Sequence, residues 1–214
     1  MASTPQQDFP MKLYFAPGAC SLAVHIALRE AGIAFEAHQV DLATHTLADG
    51  GGNYFEISPR GYVPLLEFDD GSRHTEGAAL LQHVAGLDGS HALIGAPGSR
   101  RRLEVTEWLT FVSTELHKTF SPWLWHKETA DSTKRDAKLK LAARFADLEQ
   151  HLETREFLAG DYSVADAYGF TIVNWSNFLG IPLSDFPQLR AWMARVSARP
   201  AVQQALRAEG LLKD

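Results

Sequence analysis

Only one cysteine, Cys20, occurs in the 214 residues. No intrachain disulfide is therefore possible, and a reducing cytoplasm is the expected compartment. Long apolar runs are missing too, and no stretch reaches the length a membrane-spanning helix needs. Positive charge is in deficit, with 20 Lys and Arg against 26 Asp and Glu and a net charge of -6. That balance gives nucleic acid no electrostatic footing and argues against adhesion to an anionic membrane. The first ten residues, MASTPQQDFP, lack the hydrophobic stretch of a secretory signal. They read as a disordered leader, residues 1–10, with the folded chain beginning at Met11.

What is present is an ordinary globular composition, 45% apolar and 21% charged. A chain of this length suits one large domain or two modest ones. Met11 to Phe15 alternates and stops at Pro17-Gly18, which predicts a strand and a turn. Ser21 to Ala31 carries apolar residues at helical spacing and is closed by Gly32. Phe35 to Asp41 alternates again, and a short segment around Tyr54 to Ile57 follows a glycine-rich stretch. Leu65 to Phe68 and Ser72 to Thr75 flank Asp69-Asp70-Gly71, the signature of a tight hairpin. Gly77 to Ala85 returns to helical spacing. This βαβαββα order predicts a small mixed sheet with a right-handed crossover, whose site would lie at the turn from Pro17 to Ser21.

After Gly86 the chain becomes glycine-rich, as an interdomain linker would be. Beyond it everything reads as helix: Arg100 to Phe120, Ser132 to Leu152, Ser163 to Phe178, Phe186 to Val196 and Ala201 to Leu206. The expected division is 11–86, an α/β domain; 87–98, a linker; and 99–214, an all-helical domain.

Three short segments carry chemistry. Cys20 stands at a predicted helix start, where unpaired N–H groups and the helix dipole favour a thiolate. The alternative is a small buried hydrophobe. Ser21 beside it can cap the helix or donate to a neighbouring sulfur. Gly61-Tyr62-Val63-Pro64 precedes a strand, either as an ordinary trans proline or as a cis turn that turns the Val63 backbone outward. Thr75-Glu76-Gly77 opens a helix whose free N–H groups suit a carboxylate, with Glu76 available to an ammonium group. Alone it would be a simple cap with a solvated glutamate. Ser163 and Asp166 have capping-box spacing, which assigns them to stability.

Taken together, MKLYFAPGACSLAVHIALREAG, GYVPLLEFDDG, TEGAAL, ELHKTFSP and YSVADAY resemble the beta-class glutathione S-transferases of bacteria, in order and over Met11 to Asp214. The resemblance implies a thioredoxin-like domain followed by an all-helical domain, with glutathione as co-substrate and no metal. It implies a catalytic Cys20 against the glutathione sulfur, able to form a mixed disulfide, and a catalytic His117 reaching over from the helical domain. His117 would polarise a thiol or donate to a thiolate; its spacing alone fits a structural histidine equally. Implied glutathione contacts are Ser21, Tyr62, the Val63 backbone before cis Pro64, Glu76, Gly77, Thr114 and Lys118. Trp175 matches a tryptophan near the electrophile pocket, where a core aromatic is the other reading. His45 replaces a common lysine, Thr110 a common asparagine and Thr114 a common serine. The implied activity is detoxifying conjugation of hydrophobic electrophiles, thiol-disulfide exchange through Cys20, or both, in a cytoplasmic homodimer. A non-catalytic ligand- or partner-binding protein and a specialised lyase or dehalogenase on the same scaffold are the alternatives.

Overall fold

In a computed structural model the described residues are 11–48 and 50–212. The expected leader, 1–10, lies outside them. The first domain is a five-stranded sheet ordered β3-β2-β1-β4-β5. Strands β1 (Met11–Phe15) and β2 (Phe35–Asp41) run parallel, joined through helix α1 (Ser21–Glu30). Strand β4 (Leu65–Glu67) returns antiparallel to β1 and forms a hairpin with β5 (Arg73–His74). The hairpin turns on Gly71 at φ +78, with Asp70 accepting from the Ser72 N–H. A two-residue strand, β3 (Thr46–Leu47), edges the sheet beyond β2. It was not expected, because two residues carry no readable alternation. The segment at Tyr54 forms only one 3-10 turn, Tyr54–Glu56, capped by Asn53. Helix α2 (Gly77–Leu87) completes the domain.

The rest of the described chain is helical: α3 (Arg100–Phe111), α4 (Lys118–Phe120), α5 (Asp131–Leu152), α6 (Val164–Val173), α7 (Trp175–Phe178), α8 (Pro187–Ser197) and α9 (Pro200–Ala208). The helix expected over Arg100 to Phe120 is broken. Between α3 and α4, Val112–His117 adopts a π-helical turn. Hydroxyls of Thr110, Thr114 and Thr119 donate to carbonyls four residues back along this stretch. Such back-bonding loosens a helical ladder, and π turns recur at functional sites.

Helix α1 is apolar on every side and buried from Ser21 to Leu28. It can be so because the sheet covers one face while α6 and α9 of the helical domain cover others. One apolar core therefore runs from Leu13 in β1 through α1 to Trp192 in α8. Helix α6 is buried along its whole length and begins with the expected capping box. Ser163 accepts from the Ala165 N–H, and Asp166 accepts from the Ser163 N–H at 2.9 Å. Asp166 also takes the Leu158 N–H and the Trp192 indole N–H, each at 2.9 Å. At the periphery, Arg199 grips Glu30 through two bonds of 2.6 and 2.8 Å, fastening α9 to α1.

Candidate functional site at the domain cleft

Cys20 occupies the N-cap position of α1. Its Sγ donates to the Val63 carbonyl at 3.3 Å, so two segments 43 residues apart meet at the sulfur. The Val63-Pro64 bond is cis. The Tyr62 carbonyl beside it is fixed from below, accepting from the Tyr54 hydroxyl at 2.9 Å and the Ser58 hydroxyl at 3.3 Å. The Tyr62 ring itself is 64% exposed.

The thiolate expected at this helix start is not what the surroundings favour. Burial pushes the Cys20 thiol up to about 11, outweighing the N–H groups of Cys20 and Ser21 and the charge of Lys118, which pull it down. Desolvation thus defeats the helix terminus. Ser21 also departs from expectation. Its buried hydroxyl accepts from the Ala16 N–H at 3.1 Å and donates to the Ala16 carbonyl at 3.3 Å. Both functions of the hydroxyl satisfy the β1–α1 turn, which is shut off from water, so it neither caps α1 nor reaches a sulfur.

Glu76 sits at the N-cap of α2 with φ +72, a backbone region that non-glycine residues rarely adopt. Its carboxylate is exposed and 3.4 Å from Arg60. Gly77 follows as the first helical residue, beside Pro64 and Tyr168: a Cβ there would lie 3.9 Å from the proline ring and 4.0 Å from the tyrosine hydroxyl. The α2 terminus, the cis turn and Cys20 therefore share one corner of the molecule.

From the helical domain, the π turn delivers His117, whose Nδ1 lies 2.7 Å from the Tyr168 hydroxyl. Burial, aided by Lys118, brings His117 down to about 4, a neutral imidazole at neutral pH. Lys118 is exposed, and its charge reaches both His117 and Cys20. Thr114 is exposed as well and gives its hydroxyl proton to the Thr110 carbonyl at 3.0 Å, leaving only acceptor capacity.

Further residues complete the cleft. Trp175 is a buried core aromatic, as one of the two readings had it, and it also bridges the domains by donating its indole N–H to the Gly18 carbonyl at 2.8 Å. The Gly18 N–H donates to Glu209 at 2.9 Å. Arg29 Nε donates to Nε2 of His25, so Nδ1 of His25 is the donor toward Glu209 at 2.8 Å. Glu209 and His25 side chains are fully buried. Gly18, at φ +70 and packed under the Phe178 ring, is thus held at both its N–H and its C=O two residues before Cys20. No sequence signal pointed to Glu209, but Tyr168 lies within YSVADAY.

A separate cavity of about 330 Å³ lies around Trp108, Phe111 and His151 and involves none of these groups. No group of three or more potential metal-binding side chains occurs among the described residues. No helix there is long and apolar enough to cross a membrane.

Comparison with known proteins identifies the family. Residues 18–87 match the glutathione S-transferase N-terminal domain, and residues 111–200 match its C-terminal domain. Glutathione S-transferase GstA of Escherichia coli O157:H7 is 39% identical over 202 residues, covering 94% of this chain and 100% of that protein. The chain belongs to the glutathione S-transferases. A beta-class transferase of Sphingomonas chungbukensis superposes with a TM-score of 0.88 at 40% identity, covering 94% of this chain and all of that one. A sphingomonad glutathione S-transferase solved in complex with glutathione gives a TM-score of 0.88 at 39% identity with the same coverage. The five-stranded α/β domain is accordingly the thioredoxin-like domain of a bacterial beta-class glutathione transferase, and the helical domain follows it.

Proposed function

We propose that this transferase binds glutathione at the Cys20 corner and joins it to apolar electrophiles entering from the helical domain. Cys20 would also exchange with glutathione mixed disulfides. The observation that carries this reading is the meeting of Cys20 Sγ, the Val63 carbonyl and the N-terminus of α2 at one corner. A sulfur, an extended backbone edge and a helix N-terminus are complementary to the thiol, the peptide and the γ-glutamyl carboxylate of glutathione.

In this reading residues 11–86 hold the tripeptide and residues 99–214 form the second pocket, joined by 87–98. Val63 pairs with the cysteinyl backbone beside Pro64 and Tyr62. Gly77 offers its N–H to the γ-glutamyl carboxylate, and exposed Glu76 accepts the ammonium group. Lys118 faces the remaining carboxylate, and Thr114 contributes as an acceptor. Ser21 acts through its backbone N–H, which already lowers the pKa of the neighbouring sulfur. Trp125 stands edge-on to Trp175, and Phe178 covers Gly18, so exposed aromatic surface flanks the corner where an apolar acceptor would approach.

Two steps are available. In conjugation, glutathione loses its thiol proton to solvent and the thiolate attacks an electrophile held beside it, so orientation supplies much of the rate. In exchange, the Cys20 thiolate attacks a glutathione mixed disulfide, forms its own disulfide with glutathione and releases the other thiol; a second glutathione then regenerates Cys20 as oxidised glutathione leaves. A cytoplasmic homodimer suits both steps, because cytoplasm supplies reduced glutathione.

The test assays a panel of electrophiles and glutathione mixed disulfides with glutathione, wild type beside Cys20→Ala. Conjugation is expected to survive the substitution at reduced rate and exchange to be lost. Undiminished exchange in Cys20→Ala removes the covalent role. Retention on immobilised glutathione without any product removes the transferase reading in favour of a binding protein.

A further inference from the structure

Tyr168 is 2% exposed in the fully buried helix α6, yet its hydroxyl lies at the cleft. It lies 2.7 Å from Nδ1 of His117, with the two rings edge to face at 5.9 Å. Ser113 stands near the same oxygen and favours its ionised form, which burial opposes. Ser113 and His117 both belong to the π-helical turn Val112–His117, which presents them to Tyr168 together.

Proton counting decides the direction of these bonds. A phenol carries one proton, and a neutral imidazole carries one on either ring nitrogen. His117 Nδ1 is the hydrogen-bond partner of the buried phenol at 2.7 Å, and sending the phenol proton there satisfies the hydroxyl. Nδ1 is then the acceptor, and Nε2 must hold the imidazole hydrogen. Nε2 has no protein partner among the described residues, which leaves it to a ligand. Burial supports this count by keeping both members uncharged: the imidazole is lowered to about 4, and the phenol is raised above the usual tyrosine range.

The geometry points to Tyr168 as a positioning residue that locks His117 in the Nε2–H tautomer, making it a hydrogen-bond donor to the glutathione sulfur. This rests on the reading of His117 as the group facing that sulfur. It also settles which of two roles His117 takes. In this tautomer Nε2 has no lone pair to remove the thiol proton, which leaves for solvent, while the N–H stabilises the thiolate that remains. Tyr168 itself touches no reacting atom.

Tyr168→Phe removes only the hydroxyl. Long-range proton–nitrogen correlation spectra of histidine-labelled protein, recorded without glutathione at neutral pH, should show His117 protonated at Nε2 in the wild type. The phenylalanine variant should show a mixture of tautomers. With glutathione bound, thiolate absorbance should titrate at higher pH in the variant. The kcat should fall about twofold if half the population loses the donor and about tenfold if nine-tenths does, with KM for glutathione nearly unchanged. His117→Gln, which keeps a donor near the Nε2 position, should retain more activity than His117→Asn. An Nδ1–H tautomer in the wild type overturns the proposal even if the variant fails to fold. So does a folded Tyr168→Phe with unaltered tautomer and thiolate titration. The tautomer measurement needs no substrate, so absent transferase activity would count against the functional reading alone.

Discussion

Trp175 and Gly18, 157 residues apart, are joined by a 2.8 Å hydrogen bond from indole N–H to backbone carbonyl. With Glu209 holding the Gly18 N–H, the helical domain fixes the loop that ends at Cys20. The position of the sulfur is therefore a property of both domains, although Cys20 belongs to the first.

Trp175→Phe keeps an aromatic ring but loses part of the indole's apolar contact, and it leaves the buried Gly18 carbonyl without its donor. A loss of about 1–3 kcal/mol of stability is expected from urea denaturation, with a larger proportional loss of kcat than of glutathione affinity. Equal activity per folded molecule would show that the tether does not position the loop.

Glu209→Ala should be harsher. It strands two buried donors, the Gly18 N–H and His25 Nδ1, and a cost on the order of 3 kcal/mol or more follows. Amide exchange would report the change as faster opening at Gly18 and along the start of α1. Unchanged protection there would contradict the tether.

Asp166 accepts four hydrogen bonds inside the fold, two from Ser163 and one each from Leu158 and Trp192. A helix cap alone is worth about 1 kcal/mol. The further donors raise the expected cost of Asp166→Ala beyond about 3 kcal/mol. Calorimetry should find the variant strongly destabilised, while any folded fraction keeps its affinity for glutathione, since the box lies away from Cys20.

The Cys20 thiol, held up to about 11, should resist alkylation by iodoacetamide at neutral pH. Its rate should climb about tenfold per pH unit above neutrality without levelling until near that value. The linkage has a matching sign. The folded state keeps a proton that the unfolded chain releases near its ordinary thiol pKa of about 8.5, so stability contributed by the neutral thiol declines from there through about 11. A reactivity plateau near pH 7 would be incompatible with this environment.

His117 acts at the opposite end of the pH scale. It is lowered to about 4 by burial, whereas an unfolded histidine titrates near 6.5. Between those values the unfolded state binds the extra proton, so stability falls as pH drops from about 6.5 toward 4. The effect is on the order of 3 kcal/mol when complete. His117→Gln should flatten the acid limb of the stability profile by that amount. A superimposable profile would place the acid sensitivity elsewhere.

The sequence by itself determined whatever depends on near neighbours. Alternation from Met11 to Phe15, the Asp69-Asp70-Gly71 hairpin, the Ser163–Asp166 box and most helix spans follow from side chains a few residues apart. Cys20, Glu76, Gly77 and His117 were legible as candidates because their segments stand in a recognisable order. What only the tertiary structure decided is chemical state and partnership. Cys20 sits at a helix start, but its surroundings hold it as a thiol, because burial outweighs N–H groups that sequence position alone makes favourable. Ser21 turns from the sulfur because Ala16 needs its hydroxyl in a place without water. Nothing in the sequence singled out Tyr168 or Glu209. They bear on the site only because the π turn packs on α6 and α1 on α9, which brings groups 51 and 191 residues apart into hydrogen-bonding distance. Local pattern fixes which elements form; where burial removes water, only the packed neighbours set which protons stay and which donors find acceptors.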